Sequence, residues 1–81
     1  MRILPQFLIQ YNCEDKMVLS DNIKNLRKEK NVTQDVLAKE LNVSLKTVSH
    51  WETGYTEPSI AQLISLSKIF NVSLDELITG K

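Results

Sequence analysis

Four residues between positions 45 and 50 share one side of a helical wheel and do not belong together in a core. At about 100° per residue, Leu45, Lys46, Ser49 and His50 cluster on one face, and Val48 and Trp51 point roughly the opposite way. Val48 and Trp51 explain why such a helix would dock on a core. The other four combine an apolar branch, a cation and two groups that can donate or accept hydrogen bonds. That mixture matches the edges of base pairs in a DNA major groove, which offer acceptors on guanine, a donor–acceptor pair on adenine and a methyl on thymine. Lys46 could donate to guanine or to phosphate, Leu45 could meet a thymine methyl, and Ser49 and His50 could serve either polarity.

Other chemistries find less support. His50 is the single histidine, and no cluster of acids, bases or nucleophiles accompanies it, so neither catalysis nor a metal site is expected. Cys13 is the single cysteine, which excludes a disulfide framework or a cysteine-based zinc site within one chain. No motif calls for a cofactor. No apolar run approaches the roughly 20 residues of a membrane span, and "ILPQFLI" is interrupted by Pro5 and Gln6. A cytoplasmic protein is expected, and not an enzyme.

Charge is balanced at ten Lys plus Arg against ten Asp plus Glu. A basic footprint is the usual first sign of nucleic-acid binding, and here it is absent in bulk. Residues 20–54 carry six basic and five acidic groups, a net of +1. Helix N-termini bind phosphate through free backbone N–H groups without requiring net charge, which partly answers this concern.

The elements that would position the face are short helices with explicit starts. Ser20 or Asp21 can cap a first helix at about 21–30, ending at Asn31. Thr33 caps a second, about 34–41, and Asn42 offers a tight left-handed exit. Ser44 caps a third, about 45–53, which Gly54 ends. Ser59 with Gln62 and Ser73 with Glu76 have capping-box spacing for helices at about 60–70 and 74–78. The helical period assigns Ile23, Leu26, Val36, Leu37, Leu41, Val43, Val48, Trp51, Ile60, Leu63, Leu66, Phe70, Val72, Leu74 and Leu77 to the core, with Ala38 beside them, small enough to let the third helix cross the second closely. Ile64 and Ile69 exceed what one core face needs and could feed a dimer contact. The 81-residue length is that of one small domain.

Residues 1–19 differ. "QFLIQY" lacks helical spacing and reads as a β-strand, and "KMVL" could be a second strand. An isolated hairpin is marginal in water, so this segment would pack on the helices, pair with a second subunit, which is the preferred reading, or form a tail; the 1–16 extension could also serve a protein partner. The domain proper is expected over 17–81.

Residues 20–79 resemble the Cro and phage-repressor helix-turn-helix (XRE) family, through "IKNLRKEKNVTQDVLAKELNVSLKTVSHWETGYTEPS" and "LISLSKIFNVSLDEL". The resemblance implies an all-α, compact five-helix, lambda-repressor-like domain. It implies that Gln34 contacts phosphate and braces the recognition helix. Ser44, Leu45, Lys46, Ser49 and His50 would face bases or nearby phosphates, and Thr47 the DNA backbone. Arg27 and Glu52 would form a buried ion pair between the first and third helices. Asn31 and Asn42 stand where the family often has Gly, and Asn tolerates the same backbone. The function so implied is a homodimeric transcriptional regulator, a repressor, that binds a pseudo-palindromic site on double-stranded DNA. The alternative is an antitoxin-like module that binds a partner protein and regulates its own promoter.

Overall fold

A computed structural model describes residues 13–80. Five helices follow one another: α1 (Cys13–Glu29), α2 (Gln34–Leu41), α3 (Leu45–Thr53), α4 (Ile60–Phe70) and α5 (Leu74–Thr79), with no strand among the described residues. α1 is the spine, packing against both α3 and α5. α2 lies across α3, and α4 closes the bundle against α5 and α2.

The chain changes direction by one repeated device. In "NVT" at 31–33 and "NVS" at 42–44 and 71–73, Asn sits at φ 58–59°, in the left-handed region. The Val amide then reaches back to the last turn, as in Val43 N–H to the Ala38 carbonyl at 2.9 Å and Val32 N–H to the Arg27 carbonyl at 3.0 Å. With the second bond from Asn42 N–H to the Lys39 carbonyl at 3.2 Å, this is a Schellman motif that satisfies carbonyls the helix end would orphan. The third residue caps the next helix: the Thr33, Ser44 and Ser73 side chains accept from the backbone N–H of Val36, Thr47 and Glu76. Three residues thus end one helix, bury a valine and begin the next. Before α4, Ser59 and Gln62 form both bonds of a capping box.

The core is built from one or two residues per helix: Leu19 and Ile23 from α1, Leu37 and Ala38 from α2, Val48 and Trp51 from α3, Leu66 and Phe70 from α4, and Leu77 from α5. Leu26, Val32, Leu41, Val43, Leu63, Ile69 and Val72 pack around them. Three expected core residues lie outside: Val36 is 47%, Ile60 76% and Leu74 40% exposed. Each sits in the first turn of its helix, where the cylinder has not yet reached the core.

α1 also departs from expectation. It begins at Cys13, not near Asp21, and "KMVL" (16–19) is helical instead of a strand. The cause is the stripe Leu19, Ile23 and Leu26, spaced i, i+4, i+7, which continues the core-facing period upstream. Ser20 is therefore a buried helical residue, not a cap. Residues 13–16, assigned above to the extension, form the first turn of α1. The strand expected over "QFLIQY" lies outside the described residues.

Candidate nucleic-acid interface

α2 and α3 make a helix-turn-helix whose relative angle is held by a polar lock. The Arg27 guanidinium on α1 donates through Nε to Glu52 Oε2 at 2.6 Å and through Nη2 to Glu52 Oε1 at 3.2 Å. The two side chains are 12% and 4% exposed. The fork leaves Nη1, which donates to the Val32 carbonyl at 2.8 Å, in the turn before α2. Gln34, first residue of α2, donates through Nε2 to Glu52 Oε1 at 3.0 Å. The Glu52 carboxylate thus accepts three side-chain N–H bonds, from α1 and from α2, and its own helix is α3. A bidentate Arg–carboxylate pair fixes direction as well as distance, so the lock sets how α3 projects from the bundle.

That projection leaves the outer face of α3 open. Ser44, Leu45 and Lys46 are exposed, and Thr47, Ser49 and His50 are half-buried. Leu45 is 49% exposed, although Val48 and Trp51 on the reverse face are buried. Among the described residues, nothing covers the amino end of α3. Ser44 Oγ accepts from Thr47 N–H at 3.1 Å and lies 2.9 Å from Thr47 Oγ1. The cap therefore engages Thr47 and leaves the first N–H groups of the helix facing outward, where the helix dipole favours an anion. Gln34 is half-buried at the start of α2. One N–H of its amide is spent on Glu52, so its backbone N–H, its side-chain oxygen and its second amide N–H are what it can offer outward.

At the other end of α3, Gly54 adopts φ 82° and turns the chain back. The His50 carbonyl accepts from Tyr55 N–H at 2.9 Å and from Thr53 Oγ1 at 3.2 Å. The Tyr55 ring lies against the His50 imidazole, with centroids 4.7 Å apart and planes at 59°. This pairing was not foreseen from sequence. Its signal was the spacing of five between His50 and Tyr55 across a helix-ending glycine.

The arrangement thus groups Ser44, Leu45, Lys46, Ser49 and His50 on one open surface, with Thr47 in the cap. Gln34, Arg27 and Glu52 are joined in the supporting lock. No group of His, Cys, Asp and Glu that could hold a metal ion occurs among the described residues. No helix among them is long and apolar enough to cross a membrane.

Comparison with known proteins agrees with this geometry. The helix-turn-helix family model HTH_3 matches residues 23–77. The chain is 40% identical over 65 residues to the HTH-type transcriptional activator BcrR of Enterococcus faecalis, covering 80% of this chain and 32% of that protein. It is 35% identical to repressor protein C2 of Salmonella phage P22, covering 78% of this chain and 29% of that protein. Among solved structures, the P22 c2 repressor in complex with a synthetic operator superposes with a TM-score of 0.74 at 34% identity, covering 79% of this chain and 97% of that one. The chain thus spans about a third of the length of these two curated relatives.

Proposed function

Since the chain belongs to the Cro and phage-repressor (XRE) class of helix-turn-helix proteins, we propose that it is a sequence-specific, DNA-binding transcriptional regulator, acting as a repressor, that reads duplex DNA through α3. One observation carries the reading: a well-capped helix, locked from behind by Arg27, Gln34 and Glu52, holds an uncovered face of Leu45, Lys46, Ser49 and His50. An apolar branch, a cation and two groups of either polarity on one face make a mixture that suits base edges.

Roles follow from position. The exposed N–H groups that open α3, and Gln34 at the start of α2, take phosphates and set register. Ser44 and Thr47 flank that contact. Lys46, Leu45, Ser49 and His50 read bases deeper in the groove.

A single such domain contacts few base pairs, so the functional unit is a homodimer. Two copies of α3 would then enter successive major grooves about 34–36 Å apart on a pseudo-palindromic site. α4 and α5 pack together and leave Ile60, Ile64, Leu74 and Ile78 exposed, a surface that a second copy related by a two-fold axis would cover.

Selection from a random duplex pool at physiological salt tests the proposal. An enriched motif with two related half-sites about one helical turn apart is expected. A pool that stays random after repeated rounds would refute sequence-specific binding, and a motif without symmetry would refute the dimer.

A further inference from the structure

Four of the five helices end alike. The residue after the left-handed cap donates its N–H back into the last turn: Val32 to Arg27, Val43 to Ala38, Tyr55 to His50 and Val72 to Ser67. In this motif the side chain of that residue normally makes an apolar contact with the residue it bonds, three positions before the helix-ending one. Val32, Val43 and Val72 also pack against the core. Tyr55 makes the motif's contact at the surface: it is 76% exposed, and its ring lies on His50, the residue its own N–H bonds.

We propose that Tyr55 is a positioning residue for His50, holding the imidazole ready for base contact. The inference rests on the reading of α3 as the DNA-contacting helix. Its backbone is fixed with respect to His50 by two amides, Tyr55 N–H at 2.9 Å and Thr56 N–H at 3.3 Å, both on the His50 carbonyl. Gly54 at φ 82° makes the sharp return possible, since the region is costly for a residue with a Cβ. From there the tilted ring, 4.7 Å from the imidazole, occupies space into which the imidazole would otherwise rotate. A histidine at the last turn of a recognition helix has two free torsions. Restricting them before binding removes an ordering cost at the moment of contact. A tyrosine so exposed contributes little to the core, and the ring contact it makes is with His50.

The test uses Tyr55→Ala, Tyr55→Phe and His50→Ala, with two readouts. In the free protein, the imidazole proton resonances belong to one residue, because the chain has one histidine. On duplex carrying the selected site and each single base-pair change, binding is measured position by position. Tyr55→Ala is expected to move the imidazole resonances, to weaken binding about 2- to 10-fold, the cost of ordering one side chain on binding, and to flatten preference at the same base pair that His50→Ala affects. Tyr55→Phe keeps both properties, and the losses in Tyr55→Ala and His50→Ala do not add. Unmoved resonances, additive losses, or a Tyr55→Phe loss equal to that of Tyr55→Ala would overturn the role, the last by assigning Tyr55 a direct contact through its hydroxyl. If the wild-type chain enriches no sequence, the functional reading and this role both fall. If it enriches one while the resonances stay unmoved, this role falls alone.

Discussion

Replacing Arg27 by alanine should remove a large part of the domain's stability. The wild-type pair is bidentate, at 2.6 and 3.2 Å, with side chains 12% and 4% exposed. Alanine removes both bonds to Glu52 and the 2.8 Å bond to the Val32 carbonyl. It leaves the carboxylate with the Gln34 amide at 3.0 Å and no counter-charge. Breaking a buried pair from one side costs about 3–5 kcal/mol. A domain of this size has a total stability of about 4–10 kcal/mol, so the variant loses from about a third to all of it. Trp51 is the chain's one tryptophan and is 2% exposed, which makes its fluorescence a direct reporter in a urea titration. The midpoint should fall steeply at constant slope. The control is Arg27→Met with Glu52→Met: swapping both partners for apolar side chains is often neutral or stabilising, so the double variant should recover most of the loss. A single-variant cost below about 1 kcal/mol, the value of a solvent-exposed pair, would refute the argument that this bridge is desolvated and locks α1 to α3.

Three further outcomes are expected. Lys46→Ala should weaken binding to the selected duplex by about 1–3 kcal/mol and relax preference at one base pair. A loss uniform over all sequences, measured by titration, would move Lys46 to a phosphate, and no loss would remove it from the interface. Asn42→Gly should leave stability nearly unchanged, whereas Asn42→Ala should cost about 1 kcal/mol by thermal denaturation, because alanine must adopt φ 58° without a side chain that tolerates it. Leu66→Ala should cost about 2–5 kcal/mol, since Leu66 is fully buried where α4 closes the bundle, and equal stability of the two proteins would contradict that packing.

Much of this was legible in the residues because the signals are local. A Ser or Thr three residues before an apolar step marks a helix start, and Asn or Gly marks its end. The boundaries of α2, α3 and α4 follow from these alone. The open face of α3 was equally legible, because a wheel with Val48 and Trp51 inward leaves Leu45 and Lys46 nowhere else to go. α1 was misread for the same reason: Ser20 looks like a cap, yet the longer stripe from Leu19 outweighs it, and the side chain is buried inside the helix. Ile60 and Leu74 show the opposite error, since periodicity reports a face but not how far along it the core extends. The left-handed turn at Asn71 went unremarked, although "NVS" at 71–73 repeats 42–44. The Gln34–Glu52 bond and the Tyr55–His50 contact needed the fold, because they depend on where two elements meet and not on the period of either.

The most direct test of the account is nuclear magnetic resonance titration of isotope-labelled protein with the duplex recovered by selection, following every backbone amide. The largest changes should fall at Gln34 and across 44–50, with Tyr55 beside them and the buried residues of α4 nearly still. Changes centred elsewhere on the bundle, with the amides of Leu45 and Lys46 unmoved at saturation, would contradict it.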